Sequence, residues 1–190
     1  MILNRSIAVL CGLTLLSGSA GLAATLTVTS TADSGTGTLR AAIATAADSG
    51  DTIEFNLSYP AVITLESQLL IEKDLTINGP GAAKLAIDGN HSVRVFEIAV
   101  AKTVSISGVT IRNGWVSGTD FGGGIYNPNG FLTLNNVTVS GNSAGLAGGG
   151  DAVDGADGLA VDEDDALVAL AHRGLVALDH QRLARAGEMH

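Results

Sequence analysis

The sequence predicts an all-β fold: a solenoid of about four coils, built from short parallel strands. Three observations predict it. First, an eight-residue pattern occurs twice, 28 residues apart, over 104–111 and 132–139. Second, apolar residues in each copy alternate, slip by one position and alternate again. They are Val104, Ile106, Val109 and Ile111, then Leu132, Leu134, Val137 and Val139. Alternation marks a strand with one buried face. The slip would turn the second pair outward unless the chain bends there. Ser107-Gly108 and Asn135-Asn136 stand at the two slips, and Gly and Asn tolerate positive φ. Third, the composition is rich in Gly and small polar residues, with only 3 Pro and 4% aromatics. That mixture suits short strands and tight turns.

The elements follow in order. Residues 1–23 read as a secretory signal. Arg5 supplies the positive start, Ile7 to Leu16 a short apolar run, and Gly21-Leu22-Ala23 or the adjacent Ala24 a cleavage site. The run is too short for a good membrane span, and an uncleaved anchor is the alternative. Cys11, the only cysteine, lies inside this segment, with Leu10 before it rather than the small residue of a lipoprotein site. The mature chain is then free of disulfides, and its stability has to come from stacking.

At 190 residues there is room for one domain, expected over 24–150. Residues 25–31 alternate as a strand, and Asp33-Ser34-Gly35 turns. Leu39, Ala42, Ile43 and Ala46 then fall at helical spacing, with Thr38 as N-cap and Gly50 near the C-cap. This helix, at about 38–47, is expected to lie over the first coil, because a bare solenoid end exposes its core. Strands are expected from Asp51 to Phe55, Val62 to Leu65 and Leu69 to Ile71. Leu75-Thr76-Ile77-Asn78-Gly79 and Leu85-Ala86-Ile87-Asp88-Gly89 share a template with Val109 to Gly114 and, more loosely, with Val137 to Asn142. One complete coil reads as Val93 to Ile98, Thr103 to Ile106 and Val109 to Ile111.

These residues carry a family resemblance. Gly122-Gly123-Gly124-Ile125-Tyr126-Asn127, followed by Leu132-Thr133-Leu134-Asn135-Asn136-Val137-Thr138-Val139-Ser140-Gly141-Asn142-Ser143-Ala144, is similar to bacterial secreted proteins with right-handed parallel β-helix repeats. The head, Gly37-Thr38-Leu39-Arg40-Ala41-Ala42, resembles the domain named for Cys-Ser-Leu-Arg-Glu-Ala, although that family's Cys and Glu are absent here. The resemblance covers residues 25–147. It implies a pectate-lyase-like superfold with right-handed coils and a secreted or surface-exposed protein, at times akin to polymorphic outer-membrane proteins. It implies no activity.

From Asp151 the composition changes. Residues 151–190 contain no Ser, Thr, Asn, Ile, Lys, Pro or aromatic residue, and they carry six of the nine net negative charges. The repeat stops mid-motif at Gly148-Gly149-Gly150, which reads as a frameshift or truncation. The rival reading is a genuine cap. Leu167, Leu170, Ala171, Leu175, Leu178 and Leu183 would then form a helical stripe, with Asp162 to Asp165 as its acidic start. An out-of-frame tail would leave the last coil open to self-association.

The chemistry is sparse. There is no basic patch, so nucleic acid is not an expected partner. Polysaccharide lyases and hydrolases on such scaffolds need clustered carboxylates. Before residue 151 the acids are scattered singly. Asp88 and Arg112 stand near equivalent turns and are candidates for one ligand groove with Arg94, Trp115 and Tyr126; the plainer account makes Asp88 and Arg112 solvated turn residues. Trp115, Phe121 and Tyr126 could stack on sugar; otherwise Tyr126 covers the solenoid and Trp115 lies in a long loop. Calcium is the one cofactor suggested, by the acids of 151–165, but Asp154, Asp157 and Asp162 lack the spacing of a calcium loop. No cofactor is therefore expected. The sequence reading is an exported, structural or adhesive, non-catalytic protein that contacts polysaccharide or other cell-surface material. The alternative is a carbohydrate-active enzyme or sugar-binding module on the same scaffold. A convergence of any three of Asp74, Asp88, Arg94 and Arg112, within about hydrogen-bond reach of one groove, would favour the enzyme.

Overall fold

The computed structural model describes residues 22–48 and 50–145, together with the backbone of 152–153, 159–161 and 167–170. Most of the signal segment therefore lies outside the described residues. So do the acids Asp154, Asp157 and Asp162 to Asp165, and the positions Ala171, Leu175, Leu178 and Leu183 of the expected tail helix.

The chain winds as a parallel β-solenoid of about four turns. Three sheets run along it. The first stacks β1 (Thr25–Val28), β2 (Asp51–Phe55), β5 (Leu75–Asn78), β8 (Thr103–Ser107) and β11 (Phe131–Asn135). The second stacks β3 (Ala61–Thr64), β6 (Leu85–Asp88), β9 (Thr110–Arg112) and β12 (Val137–Ser140). The third stacks β4 (Leu69–Ile71), β7 (Phe96–Ile98) and β10 (Ile125–Tyr126). Every pairing among these strands is parallel.

Register explains the core. Leu26, Ile53, Ile77, Ile106 and Leu134 form one ladder across the first sheet. Ile63, Ile87, Ile111 and Val139 form another across the second. Leu69, Phe96 and Ile125 form the third. Apart from the partly buried Leu26, all of these side chains are buried in one continuous core. The two eight-residue patterns stack as the sequence predicts. Thr110 pairs with Thr138, which sets Val109 beside Val137.

The bends also match. Gly108 has φ 61° and Asn136 has φ 50°, both left-handed, at the two slips of the pattern. Outward positions of the first sheet carry small polar residues in register, Thr52, Thr76, Ser105 and Thr133.

The helix α1 spans Leu39–Thr45, with Thr38 as its N-cap; the Thr38 hydroxyl accepts from the Ala41 N–H at 3.2 Å. It packs against β1, β2 and β4 and adds Leu39, Ala42 and Ile43 to the core. It ends sooner than the sequence predicts. Ala46 leaves the helical conformation at ψ 141°, so Gly50 is not at its cap. Burial of Ala46 and the hold of Lys73 Nζ on the carbonyls of Ala44 and Ala46 account for the early exit.

Two further differences concern strands. The strand expected from Val93 begins only at Phe96, because the Ser92 and Val93 N–H groups close a turn on the Gly89 carbonyl, at 3.0 and 3.1 Å. After residue 150, β13 (Ala152–Val153), β14 (Leu159–Val161) and β15 (Leu167–Leu170) run antiparallel to β10, β12 and β11. Leu167 and Leu170 are the ends of β15.

Candidate functional site

The turn from the second sheet to the third gathers most of the charged candidates. Asp88 and Arg112 occupy the same register position on neighbouring rungs, β6 and β9. Arg112 Nε donates to Asp88 Oδ2 at 2.8 Å. Asn113 Nδ2 donates to both Asp88 oxygens, at 3.1 and 3.0 Å, and the Asn90 N–H donates to Oδ1 at 2.9 Å. Burial alone would push the Asp88 carboxyl up. The Asn90 N–H, the Arg112 guanidinium and the Asn113 amide outweigh it and hold the group below the usual carboxylate range. Asp88 is therefore a buried, ion-paired carboxylate, not a solvated turn residue. With both oxygens occupied, it is poorly suited to give or take a proton.

Arg94 is a second hub, also buried. Its Nε donates to the Gly122 carbonyl at 2.9 Å and its Nη2 to the Phe121 carbonyl at 3.0 Å. Its Nη1 donates to Gln68 Oε1 and Glu97 Oε2, both at 2.8 Å. The guanidinium carbon lies 4.9 Å from the centre of the Tyr126 ring. One side chain thus ties the Phe121–Gly122 backbone to two successive rungs. Gln68 and Glu97, themselves joined at 2.6 Å, carry no sequence signal; only the rung register shows that they meet Arg94.

Beside Arg94 lies an open cleft of about 300 Å3. Glu66, Ser92, Trp115, Ser117 and Asp120 line it with Arg94. The Trp115 side of the cleft is fixed by backbone. Its N–H bonds to Val93, and Trp115 forms a parallel bridge with Ser143. Trp115 is nevertheless 42% exposed. An exposed indole beside carboxylates and hydroxyls can stack on the C–H face of a sugar ring while the polar groups bind its hydroxyls. Glu66 and Asp120 are loop residues with no motif around them, so the sequence does not single them out.

The five candidates therefore separate into two groups. Asp88 pairs with Arg112; Arg94 joins Trp115 at the cleft and Tyr126 by ring contact. Asp74 stands elsewhere, accepting from the Thr103 N–H at 2.8 Å. The convergence that would favour an enzyme is not what these contacts form. Among the described residues no group of three His, Cys, Asp or Glu side chains could hold a metal ion. None of the described helices is long and apolar enough to cross a membrane.

Fold and site together define a parallel β-solenoid with an aromatic, acid-lined cleft at one corner. No family model and no curated protein matches the chain.

Proposed function

We propose that the chain is an exported, non-catalytic β-helix that serves as a structural or adhesive element outside the cytoplasm. Its coil is right-handed, as the resemblance to secreted β-helix repeat proteins implies and as the handedness of parallel crossovers favours. One observation carries the reading. The best-placed charged side chains, Asp88, Arg112 and Arg94, are spent on holding rungs and loops together. They act as struts of a scaffold. The head, from Gly37 to Ala42, belongs with the Cys-Ser-Leu-Arg-Glu-Ala type on this proposal. Fractionation of an expressing cell tests the location. The mature protein is expected outside the cytoplasm, beginning at Ala24 or Thr25. Met1 intact on a membrane-bound product contradicts it.

A second reading is favoured by the Trp115 cleft, which has the chemistry of a sugar site: a polysaccharide-binding module, or a carbohydrate-active enzyme on the same scaffold. The chain has a single Trp, so its fluorescence reports on this cleft directly. Titration with neutral oligosaccharides, alongside a reducing-end assay, separates the readings. Saturable change in emission without product supports an adhesive, sugar-binding scaffold. Product formation that Glu66→Gln or Asp120→Asn abolishes establishes the enzyme.

A further inference from the structure

We infer that removal of the signal segment leaves Ala24 as the first residue, and that its new ammonium group locks onto the buried carboxylate of Asp51. The inference rests on the proposed export. It concerns the N-terminal end of the solenoid, at the entry to β1.

The geometry is specific. Leu22 is 93% exposed and Ala23 is also exposed, so the solenoid's hold on the chain starts at Ala24. The Ala24 N–H donates to Asp51 Oδ1 at 2.8 Å. The Ala47 N–H donates to Asp51 Oδ2 at 2.7 Å. Asp51 itself is only 2% exposed. It stands at the register position that Leu75, Val104 and Leu132 fill in later rungs, where an apolar side chain suits the stack. What the carboxylate gains there is a hold on two strands of chain at once: the entry to β1 and the exit from α1.

In the uncut chain Ala24 offers a peptide N–H. Hydrolysis of the Ala23–Ala24 bond adds one water across it, leaving a carboxylate on Ala23 and an amine on Ala24 that takes up a proton. The same nitrogen then carries a positive charge, and a neutral donor becomes a charge-assisted one, roughly twice as strong. Cleavage one residue later would remove the donor altogether. Of the two cleavage points that the sequence leaves open, only the one before Ala24 keeps this nitrogen beside Asp51.

The lock has a pH signature. An ammonium held by a carboxylate has its pKa raised. Its stabilisation is full below the ordinary value of about 8 and is lost as pH rises through the raised one. The test compares the protein beginning at Ala24 with the same protein extended by Gly-Ser before Ala24. The Ala24 form is expected to melt about 3–5 °C higher near pH 6.5, with the gap closing in alkaline solution. In Asp51→Asn the gap is expected to shrink below about 1 °C. If that variant fails to fold, the wild-type pair and its pH profile still decide. Equal melting temperatures for the two wild-type forms overturn the lock. N-terminal sequencing of exported protein adds a separate reading. Ala24 first supports the inference, Thr25 first overturns it while export stands, and Met1 first overturns both.

Discussion

Gly108 shows how narrowly single residues are constrained. Its φ of 61° suits only residues that tolerate the left-handed region, and a Cβ there would sit 2.4 Å from the Gly79 carbonyl oxygen on the rung below. Gly108→Ala is therefore expected to cost about 2 kcal/mol or more, read from urea unfolding. Asn136 takes the equivalent corner one rung on, with φ 50°. Asn136→Gly is expected to change stability by less than about 1 kcal/mol, since Gly accepts that conformation freely. Equal effects of the two substitutions would contradict the account of the corner. Asp88 gives a pH-dependent case. Its carboxyl is held below the usual range, so its contribution is full above about pH 4 and is lost as pH falls further toward the lowered value. Asp88→Asn is expected to flatten the decline of stability with acid over that window, measured by unfolding at pH 2 to 5. An unchanged acid limb would contradict the pairing with Arg112.

Among the elements, the strands were the most legible in the sequence. Alternation and slip locate β8, β9, β11 and β12, because a core-facing ladder admits only apolar residues at those positions. The helix start was legible too, since Thr38 caps it with a side chain chosen for that bond. Its end was not, because Lys73 and the burial of Ala46 act from distant sequence. The same holds for the Arg94 hub, whose partners Gln68 and Phe121 lie a full coil away in either direction. Trp115 was legible as a candidate, whereas Glu66 and Asp120 reach its cleft only through loop geometry. Val139 tests the last described coil as a unit. It is fully buried beside Ile111. Val139→Asp is expected to cost at least about 3 kcal/mol, through an unpaired carboxylate in an apolar stack. Hydrogen exchange should show β11 and β12 opening first while β2 and β5 keep their protection. Uniform loss across all strands would mean that the coils do not act as neighbouring units.

At the scale of the whole molecule, stability rests on stacking. Among the described residues, no buried side-chain nitrogen or oxygen lacks a hydrogen-bond partner. The polar side chains inside the turns explain how. Asn127 closes its turn on Gly130, accepting from its N–H at 2.9 Å. Asn142 takes the Gly114 N–H at 2.7 Å and donates to the Ile111 carbonyl at 3.1 Å. The Asn127 contact closes a turn within one coil, and the Asn142 contacts link one coil to the next.

The central claim is that sequence positions 24 to 29 residues apart lie side by side in parallel. Backbone nuclear Overhauser contacts on labelled protein measure this directly. Amide-to-Hα contacts should join neighbouring rungs in one direction along Ile77, Ile106 and Leu134, and again along Ile111 and Val139, which are in register here. Contacts that instead pair 104–111 with 132–139 in opposite directions, as in a hairpin, would contradict the solenoid and everything built on it.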